Sequence, residues 1–185
     1  MDPEKPKRRR KIVVNVIIAI LLLLVVLVFI VPIPVSREYA ALEVKLDDPS
    51  YIAQRTVIVS GYYHFNLFSD DQFTGKITIP DYEWTQQDLE TVQFMKDGCP
   101  LIYYNYDDKD GNGGLVKTEY FFGEIYSGLL FRNMCIAVFS ENTNDLNAEN
   151  PSGGSWHSAD GICIVPAVST RQEALDVLKS NDVIS

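Results

Sequence analysis

Asp108-Lys109-Asp110-Gly111-Asn112-Gly113, with Glu119 six residues further on, is the stretch whose residue types and spacing point most directly to chemistry. Oxygens at the first, third and fifth positions of such a run converge on a hard divalent cation such as Ca²⁺. A glycine permits the sharp turn between them, and a later glutamate closes the shell with both its oxygens. Those roles fall here to Asp108, Asp110, Asn112, the Gly114 carbonyl and Glu119, with Leu115 as the apolar eighth residue. A plainer reading stands beside this one. Gly, Asp and Asn are also the residues of a β-hairpin tip, where their tolerance of left-handed backbone is what matters.

The twelve residues from Asp108 to Glu119 resemble the calcium loop of the EF-hand family, and the resemblance extends no further along the chain. It implies Ca²⁺ as the bound ion and Glu119 as its bidentate ligand. It also implies a helix on either side of the loop. The flanks Leu101–Tyr106 and Leu115–Phe122 instead read as strands, and Val116 stands where the family usually has a polar or water-binding residue. With strands running up to the loop, Glu119 points away from Asp108. Asp107, Asp108, Asp110 and Asn112 then remain as a partial site, in the weak class known for extracellular modules.

No other constellation carries a catalytic signature. Cys99, Cys135 and Cys163 make neither a metal knuckle nor a C-x-x-C redox pair. Cys135 and Cys163 fall in apolar runs, where a thiol packs as a small hydrophobe; a Cys135–Cys163 disulfide is the alternative. His64 sits among aromatics on an expected strand. His157 neighbours Ser155 and Ser158, yet a Ser–His pair needs a third group to orient the imidazole. Trp84 and Trp156 have the rings to stack on sugars, although core packing is their commoner use. No G-x-S-x-G, H-E-x-x-H or phosphate-cradling glycine loop is present.

These groups are presented by a chain with a marked division. From Ile12 to Val31 only Asn15 is polar, and Lys7, Arg8, Arg9, Arg10 and Lys11 stand directly in front. Twenty helical residues at about 1.5 Å of rise reach about 30 Å, the thickness of a bilayer's hydrocarbon core. The run is too long for a secretory signal and lacks a small-residue cleavage site after it, so an uncleaved anchor is expected. Cations in front place the N-terminus inside and the remainder outside. Residues 1–33 hold six Lys/Arg against Asp2 and Glu4, a net of +4, and the other ten Lys/Arg with 23 Asp/Glu leave −13 beyond. A domain so acidic repels phosphate backbones, which argues against nucleic-acid binding.

The expected organisation is therefore a basic cytoplasmic tail (1–11), an anchor (12–33), a stalk (34–50) and a β-rich outer domain (51–185). A first strand is placed at Ala41–Leu46. Period-two alternation from Arg55 to Phe68 and from Phe73 to Ile79 predicts a hairpin. Residues 85–98 carry both helical spacing and strand signals; the strand reading pairs Thr91–Met95 with Leu101–Tyr104 across Asp97-Gly98. Further strands are expected at Leu115–Tyr126, Leu129–Phe139 and Ile162–Val165, with a long polar loop over 141–160. A final helix opens at Thr170-x-x-Glu173. The sum is an antiparallel β-sandwich or barrel of about seven short strands with one C-terminal helix, behind a single transmembrane helix.

Three functions compete on this reading. The first is a binding module, held in a cell membrane of bacterial type and offered to a protein partner or surface ligand. The second is a Ca²⁺-stabilised structural domain built on the 108–119 loop. The third is a cell-surface hydrolase, for which no motif speaks; the chain is expected not to be an enzyme.

Overall fold

A computed structural model describes residues 4–66, 68–94, 100–109, 114–139 and 156–184. Helix α1 (Glu4–Ile30) includes most of the basic tail as well as the apolar run. Its apolar residues lie open to the surroundings, as a lipid-facing helix requires, and it is long and apolar enough to cross a membrane. Pro6 falls in the first turn, where a missing N–H costs nothing, and Pro32 stops the helix.

Nine strands follow among the described residues. They are β1 (Ile33–Lys45), β2 (Ile52–His64), β3 (Asp71–Thr78), β4 (Asp88–Leu89), β5 (Val92–Phe94), β6 (Leu101–Lys109), β7 (Leu115–Tyr126), β8 (Cys135–Val138) and β9 (Ile162–Pro166), with α2 (Arg171–Ser180) last. They form one antiparallel sheet in the order β4-β6-β7-β8-β9-β1-β2-β3-β5, curled into a half-barrel. The curl has a visible cause. Strands β4 and β5 occupy opposite edges of the sheet, yet only Glu90 and Thr91 separate them. One short segment thus pairs first with β6 and then with β3, which draws the two edges together. The Tyr104 hydroxyl completes the tie by donating to the Ile77 carbonyl at 2.6 Å.

Residues 34–50 are not a stalk. From Ile33 to Val44 each residue of β1 faces a partner on β2, and Ala41–Lys45 also pair with β9, so this segment lies in the middle of the sheet. Strands β2 and β3 form the expected hairpin. Val92–Phe94 is a strand, but its partner is Asp71–Phe73 of β3 rather than the 101–104 segment. The stretch Leu129–Phe139 divides: only Cys135–Val138 is strand, and Leu129–Phe131 is a 3₁₀ turn. Asp97 and Gly98 lie outside the described residues, as do 141–155 of the expected long loop.

Inside the curl, Val35, Val57, Val59, Phe73, Ile77, Trp84, Tyr104, Tyr120, Phe122 and Ile136 form the main core. On β7 the buried positions change parity, from Tyr120 and Phe122 to Ile125. A register shift opposite Ile102/Tyr103 explains this, because a bulge turns every later side chain to the other face. A second cluster lies on the outer face. There Val44, Cys135, Cys163 and Val165 pack under Ala174 and Leu178 of α2. The helix begins as its sequence predicts: Thr170 accepts from the Glu173 amide at 3.2 Å, and Glu173 reaches back to the Thr170 amide at 3.3 Å.

Candidate functional site

Antiparallel alternation sorts every connection to one of two ends. The chain enters at Ile33, so the near end carries the β2–β3 turn and the 127–134 turn. The far end carries the β1–β2 turn, residues 79–87, the β6–β7 tip and the approach to β9.

At the far end β1 carries Glu43, which points into the curl and is 1% exposed. A buried carboxylate is costly unless donors surround it. Four contacts from three residues do so. Arg55 Nε donates at 2.7 Å and Nη2 at 3.4 Å, the Tyr51 hydroxyl at 2.5 Å and the Tyr82 hydroxyl at 3.0 Å. Each is placed by a different element. Arg55 stands opposite Ala41 on β2, Tyr51 ends the β1–β2 turn, and Tyr82 follows β3. Arg55 also lies 5.9 Å from the centre of the Tyr82 ring and 3.6 Å from the exposed Asp81 carboxylate. Arg171 of α2 fastens the same turn from outside, donating to the carbonyls of Lys45 at 2.7 Å and Tyr51 at 3.2 Å.

The electrostatics follow the geometry. Its hydrogen bond to Glu43 raises the Arg55 pKa, so the guanidinium is held charged. The same carboxylate raises the Tyr51 phenol, while burial first and Glu43 second raise that of Tyr82. Both phenols thus remain donors. Beside this hub a cleft of about 370 Å³ is bordered by Gln54, Arg55, Thr56, Asp81 and Ser169. It combines a cation, a carboxylate and neutral hydroxyl and amide groups, a set suited to holding a polar ligand or loop by hydrogen bonds. Nothing in the sequence singled out Glu43, because its neighbours Leu42 and Val44 look like any strand. The available signal was an acid inside an apolar strand, with Arg55 as the nearest cation on the adjoining strand.

The sequence-predicted ion loop sits at the same end. Strands run up to Lys109 and resume at Leu115, so a hairpin replaces the helices that the EF-hand resemblance implies. Glu119 stands opposite Asn105, three residue pairs from Asp108 and Val116, which at about 3.4 Å per residue is about 10 Å along the ladder. Gly114 and Glu119 are exposed, whereas Asp110, Asn112 and the Asp108 side chain lie outside the described residues. Among the described residues no three His, Cys, Asp or Glu side chains gather as a metal-holding group.

The other candidates are accounted for locally. His64 Nε2 lies 3.1 Å from the Thr74 hydroxyl across the β2–β3 ladder. His157 is exposed in a turn closed by its carbonyl, which accepts from the Gly161 amide at 2.8 Å, and Ser155 lies outside the described residues. Cys135 and Cys163 are thiols packed beneath α2 rather than a disulfide. Burial pushes the Cys163 thiol up to about 12. The phenols of Tyr63, Tyr82, Tyr104 and Tyr120 are also raised, each with burial as the largest cause.

A pH dependence follows. The unfolded chain releases these protons near the ordinary thiol and phenol values, while the native chain keeps them. Native protein therefore binds more protons in that range, and stability falls as pH rises. It is fully present below the unfolded thiol value and is lost progressively from about pH 9 upward. Melting temperatures measured between pH 7 and 11 are expected to decline continuously above pH 9. A flat profile to pH 11 contradicts this.

No protein-family model, curated protein or solved structure matches this chain.

Proposed function

We propose that this is a single-pass membrane protein, N-terminus inside, whose half-barrel serves outside the membrane as a binding module for a protein or surface ligand. One observation carries the reading. Helix α1 ends at Ile30 and β1 begins at Ile33, so the domain is joined to its anchor by two residues and stands with a fixed end toward the membrane. The opposite end, with Glu43, Arg55 and Asp81, is the end that reaches outward. The net charge of −13 over residues 34–185 favours a partner with a basic surface over nucleic acid or a bare anionic membrane. The cation-led anchor suits a bacterial envelope.

A photo-crosslinking residue in place of the exposed Asp81 tests this in intact cells. A defined adduct is expected there, and none from the same residue at Glu38, midway along β1. Equal adducts at both positions, or none at either, sink the reading. Topology is checked with a cysteine at Asp47, which an impermeant maleimide should label without permeabilisation.

A Ca²⁺ ion at the β6–β7 tip is a second reading, supported by the Asp108-x-Asp110-x-Asn112 spacing. An unchanged melting temperature between millimolar Ca²⁺ and EDTA discards it.

A further inference from the structure

The end of the half-barrel nearest the anchor exposes large apolar side chains. Ile33 pairs with Tyr63, so the β2–β3 turn continues past the first residue of β1, back toward the level of the helix end at Ile30. In that turn Phe68 is 97% exposed, and Tyr62, opposite Pro34, is 56% exposed. The 127–134 turn lies at the same end and adds Leu129, 57% exposed.

These side chains sit on a rigid base. Tyr63, Phe65, Phe73, Phe94 and Phe131 close this mouth of the curl with ring centroids 4.9–6.2 Å apart. The 127–134 turn holds Leu130, Phe131 and Asn133 at positive φ (53°, 62° and 49°), a conformation strained for side chains other than glycine. The turn keeps this shape because Phe131 is locked into the aromatic cluster and Arg37 Nη1 donates to the Leu130 carbonyl at 3.2 Å. The strain thus keeps Leu129 outward while Phe131 points inward. Arg37 and Arg132 border a cleft of about 420 Å³ beside the turn.

We infer that this end docks on the lipid bilayer itself, with Phe68, Tyr62 and Leu129 in the interfacial layer. The inference rests on the membrane-anchored reading above. The length of the connection selects the occupant. The three Cα–Cα steps from Ile30 to Ile33 span at most about 11 Å, so the bilayer surface into which α1 inserts must lie against whatever this end exposes. Aromatic rings at the headgroup level are the pattern of an interfacial anchor. Docking fixes the tilt of the half-barrel, so that its far end points away from the membrane.

Tryptophan quenching by brominated-chain phospholipids in vesicles holding the full chain tests this. Trp84 and Trp156 both lie toward the far end, so the native chain is expected to be insensitive to the bromines and supplies the baseline. Phe68→Trp should add emission that is shifted to shorter wavelength and strongly reduced by the brominated lipid. Leu24→Trp, inside α1, reports separately on the anchor. If Leu24→Trp is quenched and Phe68→Trp is not, docking is wrong while the anchor stands. If neither is quenched, the membrane reading fails and docking with it. Emission from Phe68→Trp that is shielded from water yet untouched by bromine means that protein covers this end, for instance a second copy, and overturns the inference.

Discussion

Replacing Glu43 by alanine is expected to destabilise the protein by about 3 kcal/mol, the lower part of the range for breaking a buried ion pair. Glu43 is almost wholly buried, and its removal leaves Arg55, Tyr51 and Tyr82 aimed at an empty position. Arg55 retains partial access to water, with its side chain 23% exposed, which keeps the cost below the upper limit. Removing both charges should cost less than removing the acid alone, because an uncompensated cation is worse than none. The double replacement Glu43→Leu, Arg55→Leu is therefore expected to recover part of the loss. Thermal unfolding in micelles, followed by circular dichroism as a double-mutant cycle, measures both quantities. A Glu43→Ala loss under about 1 kcal/mol, with no coupling to Arg55, shows that the hub does not hold the far end together.

Gly61→Ala should be at least as damaging, though only one methyl group is added. Gly61 and Gly75 face each other across β2 and β3, and their backbones approach so closely that neither can carry a side chain. A Cβ on Gly61 meets the Thr74 carbonyl oxygen at 2.2 Å and the Gly75 Cα at 2.6 Å; a Cβ on Gly75 meets Ser60 and Gly61 in the same way. Both obstacles are backbone, so no rotamer change relieves them. The tip of the Phe73 ring lies 3.0 Å from both positions and fills the space that side chains would otherwise take. Opening the ladder here disturbs the hairpin that carries Phe73 into the core. We expect a loss on the order of 3 kcal/mol, or a melting temperature lowered by roughly 6–12 °C for a chain of this size. Ser60→Ala, beside it on an exposed position, should change little. A shift of less than about 2 °C for Gly61→Ala shows that the strands separate easily at this point.

Much of the architecture was legible because it depends on local signals. Hydropathy alone marks Ile12–Val31 as a helix long enough to span a membrane. Period-two alternation marks β2 and β3, and Thr170-x-x-Glu173 marks the start of α2. These signals need no knowledge of partners. The helices that the EF-hand resemblance implies are absent for the same reason that the strand reading of its flanks succeeds: Leu115–Tyr126 is strand, its alternation broken only at the bulge.

What was not legible depends on which strands meet. Residues 34–50 read as a stalk because their pattern of charges and small residues is irregular, and β1 is central only because β2 and β9 cover it from both sides. The partner of Val92–Phe94 is not the next segment in sequence, which the Asp97-Gly98 turn signal favours. The curl instead brings β3, some twenty residues earlier, alongside it. Glu43 gives the clearest division. Sequence determines that a carboxylate stands at this point on a strand, since alternation and charge are properties of the chain itself. Only the tertiary structure decides that the carboxylate is buried under Arg55, Tyr51 and Tyr82, because those donors come from three separate elements that converge when the sheet curls.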